Sequence, residues 1–355
     1  TGHSDLGDIL IMPTTGKIQT NPGTADAPEN GYRSRFSHET ERCVPGYYEV
    51  KLDDYNILAQ LTATQRVGVH CYTFPSEEGQ FILDLGHGIY NYDGKTLWSY
   101  LRVENDTLLT GYRITNGWAR QNYTYFAISL SEPIQEFGYK DQQQMKYSGF
   151  WRKNNIYHNF PDMAGREISA YFRFRLPKSN KLTIKVALSA VSQSGAVANL
   201  NAEAAGLTFE QVKARATENW TKELTGLEIE GTDDQKALFY TSLYHVLFAP
   251  QIWSDITGDY MGANGMIQRS PDFQNYTTWS LWDTYRALHP LATLVLQDKL
   301  ADWAKTMMAI CKEHGELPMW HLHSTDTYCM VGEPGVPVLA DMILKGVKGF
   351  DYEKA

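Results

Sequence analysis

The sequence predicts a large antiparallel β-sandwich followed by part of an all-helical domain, and three observations predict it. Short runs of alternating apolar and polar residues recur along the first half, separated by turn signals. After Gly195 the apolar period changes from two to the helical spacing. In the second half, helical stretches follow one another with short connections.

Asp8-Ile-Leu-Ile-Met12 precedes Pro13 and a Thr-Thr-Gly turn. Segments 47–52, 57–64 and 67–74 follow, with Asp-Asp-Tyr-Asn and Gln-Arg turns between them. Segments 80–85, 97–103, 108–114 and 123–130 continue the series, and 167–176 and 181–189 close it. Tyr171-Phe-Arg-Phe-Arg-Leu176 and Leu182-Thr-Ile-Lys-Val186 alternate strictly, which is the pattern of a strand with one buried face.

Ala-rich 196–205 then starts the helical part, and Thr208 caps a helix running to Trp220. Further helices are expected over 233–248, 280–296 and 299–314. The expected organisation is a sandwich over 1–195, linker helices over 196–230 and a helical domain from 231 to 355. Gly349-Phe-Asp-Tyr-Glu-Lys-Ala355 resembles the first turn of a helix, so the chain is expected to stop inside a larger domain.

Composition narrows the function classes. A net charge of −9 over 355 residues leaves no basic footprint for nucleic acid. No apolar stretch reaches the about 18–20 residues needed to span a bilayer, so no membrane insertion is expected. Cys43, Cys71, Cys311 and Cys329 are too scattered for a disulfide framework or a zinc pattern. No phosphate loop, nucleophile elbow or His-Glu-x-x-His run occurs. Twenty-two Tyr and nine Trp lean toward carbohydrate, because such rings offer an apolar face beside a polar handle. A strand-rich core accounts for the same abundance.

Three segments could carry chemistry. In Thr277-Thr-Trp-Ser-Leu-Trp-Asp-Thr-Tyr-Arg286 a helix begins, with Trp279 and Trp282 three apart. Asp283 and Arg286 share that spacing and could pair. A Trp beside an Asp suits a hexose: the ring stacks on C–H groups while the carboxylate accepts hydroxyl hydrogen bonds. The alternative is a structural helix start with both Trp in the core.

Gly315-Glu-Leu-Pro-Met-Trp-His-Leu-His-Ser-Thr-Asp-Thr-Tyr-Cys-Met330 places Trp320, His321, His323 and Asp326 in one loop. His321, His323 and Asp326 are ligand types for a metal, although two His at i, i+2 converge only on a strand. The polar loop Thr1-Gly-His-Ser-Asp-Leu-Gly-Asp8 is a third candidate, and a turn explains it equally well.

The same segments resemble glycoside hydrolase family 92. The matching runs are Ser4-Asp-Leu-Gly-Asp-Ile-Leu10, Ser34-Arg-Phe-Ser-His-Glu-Thr-Glu41, Pro45-Gly-Tyr-Tyr48 and Leu61-Thr-Ala-Thr-Gln-Arg-Val-Gly68. Ser280-Leu-Trp-Asp-Thr-Tyr-Arg-Ala-Leu-His-Pro290 and Leu317-Pro-Met-Trp320 complete the series.

The resemblance implies that the helical domain, 231–355, is the first part of an (α/α)6 barrel catalytic domain. It also implies a calcium-dependent exo-α-mannosidase of inverting mechanism acting on N-glycan-type or mannan oligosaccharides. By that resemblance Trp282 and Asp283 line the terminal-mannose subsite, and Arg286, Trp320 and Asp326 belong to the substrate-binding set. The family's Asn-Pro-Phe-Ile-Gly-Thr-Gly, Gly-Asn-Glu-Pro and Asp-Asp-x-Gly runs are absent from this sequence. No catalytic acid or base is therefore expected within it, the ligands of Ca2+ are expected outside it, and this piece alone is expected to be inactive. His321 stands where many members carry Glu. The alternative function is a carbohydrate-binding protein without catalysis, and the location implied is periplasmic, cell-surface or secreted.

Overall fold

The computed structural model describes residues 5–7, 9–90, 92–141, 157–158 and 161–355. Thr1 to Ser4 and Asp8, part of the N-terminal candidate loop, lie outside the described residues. The chain forms two compact units. One comprises Thr1–Gly117, Tyr123–Leu188 and Ser192–Thr217, the other Trp118–Asn122, Ser189–Val191 and Glu218–Ala355.

The first unit is the expected sandwich. Its strands in chain order are β1 (Leu10–Thr14), β2 (Arg42–Val44), β3 (Tyr47–Leu52), β4 (Ile57–Ala63), β5 (Val67–Thr73), β6 (Glu78–Asp84) and β7 (Thr96–Asn105). They continue as β8 (Leu108–Thr115), β9 (Asn122–Leu130), β10 (Ile134–Asp141), β11 (Tyr157–His158), β12 (Asp162–Gly165), β13 (Ile168–Arg175) and β14 (Lys181–Ser189). One sheet has the order β1-β6-β13-β10-β11 and the other β12-β7-β8-β9-β14-β5-β4-β3-β2.

Alternation decides which side chains meet between the sheets. Phe81, Leu83, Ile168, Ala170 and Phe172 of the smaller sheet join Leu101, Leu109, Phe126, Ile128 and Ile184 of the larger in one core, and Phe81 stacks on Phe172 at 5.0 Å. Burial of this apolar set is the main force closing the sandwich.

The strand β10 was not expected from the sequence. A register shift between Ile134 and Glu136 breaks its alternation, so Ile134 and Phe137 both pack on the core at odd spacing.

Helices α1 (Gln193–Glu203) and α2 (Phe209–Leu224) follow. Ala196, Leu200, Phe209 and Val212 cover Val67, Val69 and Ala187 on the far face of the larger sheet. Thr208 caps α2 as expected: its hydroxyl accepts the Gln211 N–H at 3.3 Å, and Gln211 Oε1 accepts the Thr208 N–H at 2.9 Å.

The second unit is helical but not purely so. Helix α3 (Asp233–Val246) begins in a capping box between Thr232 and Gln235. Two small antiparallel pairs then intervene, β15 (Gln251–Ile252) with β18 (Tyr276–Thr277) and β16 (Asp259–Met261) with β17 (Ile267–Arg269). The helix expected over 280–296 is two pieces, α4 (Leu281–Thr284) and α5 (Leu288–Val295). Pro290 explains the break: it has no N–H to donate and its ring crowds the carbonyl four residues earlier.

Helix α6 (Gln297–His314) ends at Gly315 in the left-handed conformation, φ 99°. A β19 (His321–Leu322) and β20 (Thr325–Asp326) hairpin and helix α7 (Gly335–Leu344) complete the unit. Its core gathers Trp279, Leu281, Leu300, Trp303, Met307, Leu339 and Met342. Among the described residues no helix is long and apolar enough to cross a membrane.

Candidate functional site

Two backbone hydrogen bonds bring the candidate segments 277–286 and 315–330 together. Trp279 donates its N–H to the His321 carbonyl at 2.8 Å, and Leu281 donates to the Met319 carbonyl at 3.0 Å. The chain enters α4 with Thr278 at φ 64°, a conformation unfavourable for a β-branched residue.

Burial separates the two tryptophans. Trp279 is 1% exposed, edge-on to Trp303 at 5.9 Å, and its indole N–H donates to the Tyr276 carbonyl at 3.1 Å. Trp282 is 41% exposed, and Asp283 beside it is exposed too. The Ser280 hydroxyl donates to one oxygen of Asp283. Arg286 is exposed and makes no ion pair with Asp283, so the pairing that their spacing allowed does not form. The helix stops at Thr284, which removes the geometry that pair would need.

Asp326 organises the second segment. It is 7% exposed and accepts the N–H groups of Met319 at 2.8 Å, Trp320 at 3.4 Å and Tyr328 at 2.8 Å. Both carboxylate oxygens are engaged by backbone, so Asp326 sets the position of Trp320. The loop carries unusual backbone: His323, Tyr328 and Met330 have φ of 55°, 53° and 77°. With Thr278 these are four of the six non-glycine positive-φ residues among the described residues. Such conformations concentrate where the surroundings hold a site in shape.

Trp320 meets Trp118 edge-on, with centroids 5.4 Å apart. Trp118 is 46% exposed. Sequence reasoning missed it, because no local pattern links a loop between two strands to a loop far along the chain. The site therefore displays Trp282, Asp283, Trp320 and Trp118.

The three potential metal ligands do not converge. His321 is 3% exposed with neither ring nitrogen hydrogen-bonded, and burial pushes its pKa down to about 4 against a weaker upward pull from Asp326. The His323 ring lies flat on Trp253 at 5.0 Å. Contrary to the sequence reading, a short strand is present, but it ends at Leu322, and His323 sits in the turn. Among the described residues no three His, Cys, Asp or Glu could hold a metal ion. His321, His323 and Asp326 therefore do not converge as a metal-ligand set.

Exposed indole rings beside an open carboxylate can stack on the C–H face of a pyranose and accept its hydroxyl hydrogen bonds. A sandwich followed by a helical unit that displays such groups has the surface chemistry a carbohydrate ligand needs. The chain belongs to glycoside hydrolase family 92: its residues 1–189 match the family's N-terminal domain and 195–355 its catalytic domain.

Solved structures agree. Over 98% of its length the chain superposes on the family α-mannosidase BT3965 of Bacteroides thetaiotaomicron, solved in complex with mannoimidazole, at 37% identity and a TM-score of 0.89. It superposes equally completely on the inverting mannosidase BT2199 of Bacteroides thetaiotaomicron, at 28% identity and a TM-score of 0.82. The chain spans only 45% and 44% of those two proteins. No curated protein matches it significantly. The fold expected from the sequence, a sandwich followed by a helical domain, is the fold these relatives share with it.

Proposed function

We propose that this protein releases terminal α-linked mannose from N-glycan-type or mannan oligosaccharides by calcium-assisted, inverting hydrolysis. The observation that carries this reading is the pairing of 277–286 with 315–330, which displays Trp282 and Asp283 beside Trp320. The names of the two mannosidases to which the chain is similar support the choice of sugar.

In this reading Trp282 stacks on the terminal mannose. The free oxygen of Asp283 accepts outer hydroxyl groups, and Arg286 donates to the same ring. Trp320, held by Asp326 and braced by Trp118, closes one side. Charge-assisted hydrogen bonds of this kind exceed neutral ones by roughly twofold.

Inverting hydrolysis needs an acid on the leaving oxygen and a base on the attacking water, with carboxyl groups about 6.5–9.5 Å apart. The reading assigns those two groups, and the oxygen ligands of the calcium, to residues outside this sequence. Calcium, when bound, would supply Lewis-acid attraction for sugar hydroxyls. The helical unit is the opening part of an (α/α)6 barrel in the whole protein, and this chain alone binds sugar without turning it over. A periplasmic, cell-surface or secreted location accompanies the substrate class.

The test uses protein expressed from the complete gene. Mannose release from a panel of α-mannosides is followed by proton NMR, with and without a calcium chelator. The expected result is β-mannose as the first product, loss of release on chelation, and loss on Asp283→Asn. Absence of release from every α-mannoside, or an Asp283→Asn variant as active as wild type, would overturn the reading.

A further inference from the structure

The far face of the nine-stranded sheet carries a row of tyrosines. Leu101, Leu109 and Phe126 point into the sandwich core, so Tyr100, Tyr112, Tyr123 and Tyr125 project from the opposite face. Tyr100 stacks on Tyr112 at 5.5 Å and 24°, Tyr112 meets Tyr125 at 5.7 Å, and Tyr125 stacks on Tyr123 at 6.3 Å. Cross-strand stacking uses both faces of a ring inside such a row, and only a ring at the end keeps one face open.

Tyr100 and Tyr123 are the two end rings, and Tyr100 is the one beside the sheet edge. Among the described residues only the edge strand β12 lies beyond β7, and its register sets Ala164 opposite Tyr100 and Asp162 opposite Arg102. Ala164 is exposed and small, so its side chain covers little of the half-buried Tyr100 ring. Apart from Tyr112, no ring packs on Tyr100 among the described residues. Trp98, two residues before it on the same face, is 42% exposed.

Polar groups frame this opening. Asp162 Oδ1 accepts the Tyr100 hydroxyl and Arg102 Nη1, each at 2.6 Å. Arg102 Nε donates to Glu104 at 3.2 Å. Asp162 Oδ2 and Arg102 Nη2 have no partner among the described residues. The Tyr100 hydroxyl and then the Arg102 guanidinium hold the Asp162 carboxyl below its usual pKa by hydrogen bonding, so it is an acceptor at neutral pH.

We propose that this edge is a second sugar seat, separate in sequence from the Trp282 segment. A hexopyranose lies above Ala164 with its C–H face on Tyr100, at the about 3.5–4.0 Å of carbon contact. Its hydroxyls donate to Asp162 Oδ2 and accept from Arg102 Nη2, and Trp98 walls one side. The seat would hold a long glycan on the protein while its end is processed. The choice of a mannose-rich glycan rests on the proposed function, whereas the seat itself rests only on the ring, the gap and the two polar groups.

The test uses the complete protein carrying Asp283→Ala, titrated with mannotetraose by ligand-observed NMR, with gluco- and galacto-oligosaccharides in parallel. Adding Ala164→Leu fills the gap without removing the ring, and Tyr100→Ala removes the ring. Each is expected to weaken mannotetraose binding about tenfold. In the otherwise wild-type protein, Ala164→Leu is expected to leave hydrolysis of a small aryl mannoside unchanged. Binding that neither substitution alters, or no glycan binding by the Asp283→Ala protein, overturns the seat. The latter result beside mannose release by the wild type leaves the proposed activity standing. Binding of a gluco-oligosaccharide alone, lost on Ala164→Leu, supports the seat and overturns the mannose reading.

Discussion

Trp118 stands edge-on to Trp320, with the two ring planes at 89°, although the residues lie far apart in the sequence. The contact fixes the tilt of an indole whose backbone is already tied to Asp326. Trp118→Ala should therefore weaken substrate binding more than it weakens the fold. An edge-to-face aromatic pair is worth about 0.5–1.5 kcal/mol beyond area burial. On the proposed function, KM of the complete protein for a mannoside should rise severalfold with kcat little changed, because the lost contact would orient the sugar. A KM unaltered by Trp118→Ala but raised by Trp320→Ala would show that the brace is dispensable.

Asp326 gives a sharper prediction. Three backbone N–H groups converge on its buried carboxylate, so Asp326→Ala leaves three partly buried donors without their acceptor. The expected cost is roughly 2–4 kcal/mol, read from urea unfolding. Asp326→Asn keeps one oxygen acceptor and should lose about half as much. Asp283→Ala provides the contrast: its carboxylate is exposed and takes one local hydrogen bond, so its cost should stay within about 1 kcal/mol. If Asp283→Ala proved the more destabilising, the division into a positioning and a sugar-facing carboxylate would fail.

The parts of the structure legible in the sequence are those governed by local periodicity. Strands β3 to β9 lie where their apolar runs and turn signals place them, although β7 carries two register shifts and β6 is buried on both faces, and the cap of α2 is written in Thr208 and Gln211. Strand β10 was missed because its bulge puts Ile134 and Phe137 on one face, which cancels the period-two signal. The split of α4 from α5 was legible in Pro290, but the apolar spacing on either side of it masked the break. At the site, Trp282 and Asp283 could be picked from their type and spacing. The joining of 279–281 to 319–321, the engagement of Asp326 by backbone and the arrival of Trp118 could not, since each is a contact across distant sequence.

Arg66 and Glu203 test how α1 is held on the sandwich. Arg66 Nη1 lies 2.6 Å from Glu203 Oε1, with the side chains 8% and 12% exposed. Glu203 also accepts the Arg66 N–H at 2.9 Å and the Thr64 hydroxyl. Glu203→Ala removes the carboxylate from beside a nearly buried guanidinium, and removing one partner of such a pair costs about 3–5 kcal/mol. Pairing it with Arg66→Met removes the guanidinium too and should recover most of the loss. A double variant no more stable than Glu203→Ala would mean that the loss comes from the Thr64 hydrogen bond and packing, and not from the guanidinium.

Two buried histidines set the acid response of the helical unit. Burial lowers the pKa of His289, which packs between Trp279 and Trp303, to about 4, and it lowers that of His321 to about 4 as well. An exposed imidazole in the unfolded chain titrates near 6.5. Between those values the unfolded state binds more protons than the folded one, so stability rises with pH across the window. It is fully present above about pH 6.5, is lost progressively as the pH falls toward 4, and changes no further through these groups below that. The expected loss is on the order of 3 kcal/mol per histidine. Urea unfolding followed through the fluorescence of Trp279 and Trp303 should show the slope between pH 6.5 and 4. His321→Leu should flatten it by about half, because a leucine in that buried position has no proton to gain. A slope unaltered by His321→Leu and by His289→Phe would assign the acid sensitivity to the carboxylates instead.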